Sequence, residues 1–216
     1  FYVSPCLYLI LSSSYSLLLF LFVLSRWSSR ALPTRRSSDL VYGAVKMAPM
    51  MQTFGAFDEK AVDVYSEMMV KVIETGNAAE AMVWKVPVSE DLTPDDVEET
   101  MRFVANEHNI KNVGELPLSS QIEAMSGGPS RYLKIYMFCN ALTAAQMLEY
   151  SDAYSAFLPC RVSLVEDKEG KLWLYSLNMD AMIYGGKPLP PALKEEAEGV
   201  KEIILDIMNR GAEGDF

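Results

Sequence analysis

The sequence predicts an α+β protein, a two-layer sandwich in which helices cover one face of a mostly antiparallel sheet. One observation is a β-hairpin signal at 158–177, where two alternating runs flank the charged turn DKEG. Another is the helix start TPDD at 93–96, which has an N-cap threonine, a proline at the first helical position and two acids. The third is the element order β-α-β-β-α-β-β-α over residues 80–216. Consecutive strands that pair with one another, with the helices segregated from the sheet, are typical of the α+β class.

The first predicted helix covers residues 58–74, with Asp58 as its N-cap and Gly76 just past its end. Its apolar residues recur at helical spacing and predict a packing or stalk face. That stripe consists of Val62, Tyr65, Met69, Val72 and Ile73.

A short strand is predicted at 81–88, where Pro87 indicates an edge or an end of the sheet. The helix that begins at Thr93 is expected to run to His108, whose charge the helix dipole favours there. Residues 113–122 predict a strand, SGGP at 126–129 a turn, and the alternating run RYLKIYMF at 131–138 another strand.

A capping-box pattern at Thr143 and Gln146 predicts the start of a helix that continues through Tyr154 and ends at Pro159. After the hairpin, the loop at 185–191 leads into the last helix. The buried stripe predicted for that helix is Leu193, Ala197, Val200, Ile204 and Ile207.

The hairpin itself is predicted to lie inside the sheet, because both of its faces carry large apolar side chains. Gly170 supplies the positive φ that closes the turn. Strict alternation puts Cys160 on the inward face with Val162 and Leu164, and Arg161 on the other face.

Composition excludes several classes of function. The 216 residues carry a net charge of −10, which repels phosphate backbones, so no nucleic-acid partner is expected. With one histidine and three cysteines the chain lacks a His-based triad, a Cys-x-x-Cys zinc pair and a disulfide framework. No phosphate-binding loop is present, so the sequence predicts neither a metal nor a cofactor and disfavours an enzyme.

The thirteen methionines admit a copper-site interpretation, especially Met47, Met50 and Met51. Because the methionines are spread through apolar stripes, filling of the core is the favoured interpretation.

The first forty residues differ from the rest of the chain. Residues 7–24 are almost wholly apolar and long enough to span a bilayer, and the four arginines that follow would put the body of the protein in the cytoplasm. The run PTRRSSDL at 33–40, however, back-translates without mismatch to the end of a common short-read sequencing adapter. Residues 1–40 are therefore interpreted as a fusion artefact, with a linker after a membrane anchor as the alternative.

Residues 41–79 are interpreted as a membrane-proximal segment and helix, and 80–216 as the α+β domain. The apolar stretch VYGAVKMAPMM at 41–51 is consistent with the cut end of a membrane helix or a leader peptide. If such a leader was lost at the join, the protein is expected to be membrane-anchored or periplasmic.

Two cysteines carry the candidate chemistry. A thiol at Cys160 beside the guanidinium of Arg161 is a candidate nucleophile or redox group, whereas the competing interpretation is a small buried hydrophobe. Cys139 ends the neighbouring predicted strand, so a reversible disulfide with Cys160 is a further possibility. Asp180 is a candidate carboxylate ligand or the cap of the next turn.

The segment LPCRV at 158–162, the hairpin VEDKEGKLWL at 165–174, NMD at 178–180 and the final GDF resemble the bacterial domain-of-unknown-function family 302. The resemblance covers roughly 81–216, and its specific part is the Pro-Cys-Arg entry into a hairpin after a helix that follows Phe-Cys-Asn at 138–140. It implies a small α+β domain that commonly forms dimers, is often exported or membrane-tethered, and in some members is associated with sulfur-oxidising bacteria. The chain departs from the family pattern at Ala141, where Asn-Pro is expected. Weak ligand candidates are Cys139, Asn140, Asn178 and Asp180.

Two functions remain open from the sequence. The first is a binding or assembly module, a homodimer whose sheet or interhelical cleft holds a small molecule or a partner protein. The second is a thiol-dependent redox or sulfur-transfer protein that uses Cys160 with Arg161. The first is favoured because it requires only the fold.

Overall fold

The computed structural model describes residues 55–216. The apolar segment 7–24, the adapter-like run 33–40, and Met47, Met50 and Met51 lie outside the described residues. A compact unit spans Ala56–Phe216. Within residues 55–216, no helix is both long enough and apolar enough to cross a membrane.

Five strands form one sheet: β1 (Val83–Pro87), β2 (Lys111–Leu116), β3 (Leu133–Cys139), β4 (Cys160–Glu166) and β5 (Leu172–Leu177). Their order across the sheet is β1-β5-β4-β3-β2, and every pair of neighbours is antiparallel. The predicted hairpin, now β4 and β5, therefore lies inside the sheet, and β1 with Pro87 at its end forms an edge. The predicted α+β class is confirmed.

The helices of the described part are α1 (Ala61–Thr75), α2 (Ala78–Ala81), α3 (Pro94–Glu107), α4 (Leu118–Ser126), α5 (Ala141–Tyr150), α6 (Asp180–Tyr184) and α7 (Pro191–Glu213), with a 3-10 helix at Asp152–Phe157. Helices α3 and α7 pack on each other and on one face of the sheet. Gly211 permits their close approach, because a Cβ at this position would lie only 2.6 Å from Cγ of Met101.

The core lies between these helices and the covered face of the sheet. Alternate residues of the central strands are fully buried there: Tyr136, Phe138, Val162, Leu164 and Leu174. Helices α3 and α7 contribute Met101, Val104, Ile204, Ile207 and Met208. Alternation along each strand leaves the other face of the sheet outside this core.

The start of α3 follows the prediction closely. Thr93 accepts a hydrogen bond from the backbone N–H of Asp96, the Asp96 carboxylate accepts one from the backbone N–H of Thr93, and Pro94 begins the helix. This reciprocal capping satisfies two N–H groups that the first turn of the helix leaves unpaired.

The prediction for residues 113–122 was wrong in its second half. Strand β2 ends at Leu116, and α4 occupies Leu118–Ser126. Pro117 has no N–H with which to extend the ladder, so the chain leaves the sheet at that point.

The predicted first helix begins later and packs differently from expectation. Helix α1 starts at Ala61, and Asp58 lies before it, where its carboxylate pairs with Lys194 at 2.6 Å and accepts a hydrogen bond from the Lys60 N–H at 3.0 Å. The Tyr65 hydroxyl donates to the Gly185 carbonyl at 2.6 Å, and together these contacts fix the rotation of the helix. The buried face is therefore the one with Ala61 and Val64. The predicted stripe is largely exposed, at Val62, Tyr65, Met69 and Ile73.

The capping-box prediction at Thr143 was also wrong. Helix α5 begins at Ala141, and its N-cap is Asn140, whose side-chain oxygen accepts hydrogen bonds from the N–H groups of Leu142 and Thr143. The Thr143 hydroxyl instead donates to Glu196 of α7 at 2.8 Å. The α-helix ends at Tyr150, so Tyr154 belongs to the 3-10 helix.

Candidate functional site

Cys160 begins β4 on the covered face of the sheet. It packs against the core and shares its face with Val162 and Leu164, as the alternation predicted. Arg161 pairs with Met137 of β3 and is exposed. The two neighbours in sequence therefore emerge on opposite faces, because successive strand side chains point to opposite sides.

A small cavity, here called the sulfur cavity, lies at the ends of β3 and β4 that Cys139 and Cys160 occupy. The register pairs Phe138 with Cys160, so these strand ends lie side by side. The 3-10 helix, α5, α6 and α7 supply the other walls. Its lining residues are Phe138, Cys139, Asn140, Thr143, Ala144, Met147, Tyr154, Phe157, Leu158, Cys160, Met179, Met182, Ala197 and Val200.

The cavity has a volume of about 40 Å³, counted as the space open to the centre of a water molecule. One water needs roughly 10 to 15 Å³ on this measure, so the cavity has room for an ion or a few waters and not for a drug-sized molecule.

Both thiols of the sulfur cavity are free. Burial raises the pKa of Cys160 to about 11, the neighbouring Cys139 adds to the rise, and Arg161 opposes it only weakly. Burial also raises the pKa of Cys139. Both groups are therefore protonated at neutral pH, a condition that does not favour nucleophilic attack.

Arg161 lies at a second cavity, of about 150 Å³, that also touches Cys160, Ser176 and Met179. Both residues line this cavity, but the Arg161 guanidinium has only a weak effect on the pKa of Cys160.

The remaining candidate residues have structural partners. The Asn140 oxygen caps α5, as described above, although the residue also lines the sulfur cavity. The Asn178 oxygen accepts a hydrogen bond from the Asp180 N–H at 2.8 Å, and the Asp180 carboxylate pairs with Lys201 at 2.5 Å. Asn178 and Asp180 border a separate pocket of about 10 Å³. The sulfur cavity is thus lined by Cys139, Asn140 and Cys160, whereas Asn178 and Asp180 do not line it.

A larger depression, the interhelical cleft, adjoins the sulfur cavity; an interhelical cleft was among the expected binding places, but its residues were not predicted. It measures about 450 Å³ and shares Tyr154, Phe157 and Met182 with that cavity. Its other lining residues are Met68, Ala81, Met82, Tyr150, Ser151, Ala153, Leu177, Asn178, Ala181, Gly185 and Gly186. Because these residues come from separate parts of the chain, no local sequence pattern indicates the cleft.

A charged network between α3, β2 and β3 was also missed. Lys134 contacts Glu98 at 2.5 Å and Glu115 at 2.8 Å, and Arg102 contacts both carboxylates at 2.5 Å. The buried Tyr136 hydroxyl donates to Glu98 at 2.8 Å. The two cations, Lys134 and Arg102, balance the two anions, Glu98 and Glu115, and each of these groups is hydrogen-bonded. The network therefore joins α3 to the sheet.

A second set of charges surrounds Tyr184. The ammonium groups of Lys60, Lys194 and Lys201 lie 4.6, 5.2 and 5.3 Å from its ring centroid. Its hydroxyl donates to Glu198 at 2.9 Å, and burial together with that carboxylate raises the pKa of Tyr184. These contacts connect α1, α6 and α7.

His108 caps α3 and lies 2.7 Å from the carboxylate of Asp206 on α7. Among the described residues, no group of three or more His, Cys, Asp or Glu side chains is arranged to hold a metal ion.

A family model described as "Domain of unknown function DUF302" matches residues 84–211. The chain is also similar to the crystal structure of an uncharacterized conserved DUF302 protein from Bacillus stearothermophilus, with 18% sequence identity and a TM-score of 0.49 over 60% of this chain and 97% of that one. No curated protein matches the chain. Because the family match covers more than half of the sequence and includes the strands that form the sulfur cavity, this chain belongs to the DUF302 family.

Proposed function

We propose that this chain is a homodimeric binding module that associates through the face of the sheet opposite α3 and α7, here called the open face. The observation that carries the proposal is the composition of that face. Its central side chains are Ile135, Met137, Val165, Trp173 and Tyr175, and none belongs to the core cluster or packs against it.

The size of the open face supports association. Five strands about 4.8 Å apart, each rising about 3.4 Å per residue, form a surface roughly 20 Å across in both directions. Contiguous apolar patches larger than a few hundred Å² are uncommon on monomers, and tryptophan, tyrosine and methionine are enriched at interfaces.

Charge also favours this face over the helical one. The whole chain has a net charge of −10, and the exposed side of α7 carries Glu195 and Glu202. On the open face the charged strand residues are Lys85, Lys111 and Arg161, with no carboxylate among the strand positions. Lys85 and Lys111 belong to the edge strands, and Arg161 lies near the start of the central strand β4, so the charges are at the margins of the face and two copies can meet at its apolar middle with little repulsion.

The geometry suits a two-fold arrangement in which the same patch of each copy meets the other, since such self-complementary contacts are the commonest in oligomers. Two sheets packed face to face lie about 10 Å apart and bury their facing side chains. Residues such as Trp173 and Tyr175 would then lie in a core between the two copies.

The test is sedimentation of the chain at micromolar concentration. We expect a dimer that Met137→Glu converts to a monomer with an unchanged circular-dichroism spectrum. Ile73→Glu is the matched control, because Ile73 is 75% exposed on α1 and offers an alternative apolar contact. A wild-type chain that sediments only as a monomer, or a dimer broken by Ile73→Glu and not by Met137→Glu, would contradict the proposal.

A second candidate function is binding of a small apolar molecule in the interhelical cleft. Its volume of about 450 Å³ falls in the range of known ligand sites, and its wall is mainly apolar with Ser151 and Asn178 as polar groups. Native mass spectrometry of the freshly purified chain is expected to reveal a bound mass, which Ala153→Trp displaces. A chain that carries no additional mass in any preparation would argue against this function.

The thiol-redox alternative receives less support. It requires an accessible thiolate at Cys160, whereas burial raises the pKa of that thiol to about 11. Export or membrane tethering remains a proposal that depends on the sequence preceding the described residues.

A further inference from the structure

We propose that the sulfur cavity is a binding site for one soft monovalent metal ion, Cu(I). Five residues of its wall carry sulfur, namely Cys139 and Cys160 with the thioethers of Met147, Met179 and Met182. The binding module proposed above does not require this site, and the site does not require the dimer.

The choice of ligands selects the metal. Thiolate and thioether sulfur favour Cu(I), whereas carboxylates, carbonyls and water suit Mg²⁺ and Ca²⁺. The cavity wall contains no carboxylate and no histidine. Structural zinc takes four thiolate or imidazole ligands, and this cavity offers two thiols.

The five sulfur residues come from different elements, and all of them line the same cavity. Cys139 ends β3, Cys160 begins β4, Met147 lies on α5, and Met182 lies on α6 with Met179 just before it. Met147 and Met179 belong to the core cluster, and Met182 packs against it, so these methionines also contribute to the core. The presence of five sulfur-bearing residues in the wall of one cavity of about 40 Å³ is the observation that carries the proposal.

Charge and access fit the same assignment. When Cu(I) binds, one thiol loses its proton: R–SH + Cu⁺ → R–S–Cu + H⁺. The resulting complex is neutral, and an apolar cavity tolerates a neutral complex better than a net charge. Tyr154, Phe157 and Met182 are shared with the interhelical cleft, which provides a path of entry.

The experiment is an anaerobic titration of the phosphine-reduced full chain with Cu(I) in competition with a chromophoric Cu(I) chelator. We expect one ion per chain, sulfur as the near neighbours by X-ray absorption, and an apparent affinity that rises about tenfold per pH unit below the thiol pKa. Cys160→Ser is expected to weaken binding by more than about a hundredfold and Met182→Leu by about tenfold, since even supporting residues of metal sites contribute on this scale.

Met208→Leu is the matched control, because Met208 is fully buried in the core away from the cavity. It is expected to leave Cu(I) affinity unchanged. Circular dichroism checks that each variant is folded, and Cys139→Ser replaces Cys160→Ser if the latter does not fold. Failure to take Cu(I) from the chelator, an equal effect of Met182→Leu and Met208→Leu, or tighter binding of Zn(II) than of Cu(I) would each overturn the proposal.

Discussion

The indole Nε1 of Trp173 donates a hydrogen bond to the carboxylate of Asp167 across 2.8 Å. This bond joins the turn of the central hairpin to the open face of the sheet. The same carboxylate accepts hydrogen bonds from the backbone N–H groups of Glu169 and Lys171, both at 2.9 Å. One acidic side chain thereby fixes the turn that Gly170 closes with a φ of +83°.

Asp167→Ala is expected to lower the melting temperature, because it removes three hydrogen bonds that order the turn. The backbone N–H of Lys171 and the Trp173 indole lower the pKa of Asp167. A lowered pKa in the folded state gives stability above the unfolded value near 3.8, which is lost as the pH falls below it. Thermal melts of wild type and variant should therefore converge in acid. Lys168→Ala, in the same turn, is the control and is expected to change the melt little.

Trp173→Ala tests on which face the hairpin packs. Trp173 lies on the open face and is half-buried, with Lys85 Nζ 4.2 Å from its ring centroid, whereas Leu174 is fully buried in the core. We expect Trp173→Ala to cost about 1 to 3 kcal/mol in the monomer and Leu174→Ala about 2 to 5 kcal/mol. Denaturant unfolding measures both, and a larger loss for Trp173→Ala would show that the open face has been misassigned.

Glu115→Gln tests the charged network. Partial burial acts to raise the pKa of Glu115, but hydrogen bonds from Lys134, Arg102 and Asn112 outweigh it and hold the pKa at about 2. The resulting stability is present above the unfolded value of 4.5 and is lost as the pH falls towards 2. We expect a loss of up to about 3 kcal/mol at pH 7 and a flatter acid unfolding profile. An unchanged profile between these pH values would contradict the role given to Glu115.

Alkylation with iodoacetamide tests the environment of Cys160. A pKa raised from 9.0 to about 11 leaves roughly a hundredfold less thiolate at neutral pH, so native labelling should be correspondingly slow. Peptide mass spectrometry separates Cys160 from Cys139 and Cys6, and the chain unfolded in guanidinium gives the unprotected rate. Fast native labelling of Cys160 that persists in Cys139→Ser would restore the redox hypothesis.

Removal of residues 1–40 is expected to leave folding intact. The core cluster of the described residues runs from Val64 to Ala212, within the unit Ala56–Phe216, and the run at 33–40 is interpreted as derived from a sequencing adapter. Thermal melts of the full chain and of residues 41–216 should coincide. A truncated chain without a cooperative transition would mean that the N-terminal residues contribute to the fold.

Local patterns in the sequence determined much of the framework. The capped start of α3 at Thr93 and Pro94 follows from the unpaired N–H groups of a helix end, which only neighbouring residues can satisfy. The inward orientation of Cys160 follows from the two-residue period of a strand, and the central place of the hairpin from its two apolar faces. The Pro-Cys-Arg entry and the hairpin also indicated the family that the match over residues 84–211 confirms.

Tertiary structure decided which surfaces meet. The apolar stripe of α1 predicted a packing face, yet the helix buries Ala61 and Val64 instead and leaves most of the stripe exposed. The sulfur cavity gathers Cys139, Met147, Cys160, Met179 and Met182 from elements whose relative positions depend on the packing of the whole domain. The periods of helices and strands are set by bonds between residues that are close in sequence. The sulfur cavity instead depends on which of many possible apolar contacts form together, and no local pattern encodes that choice.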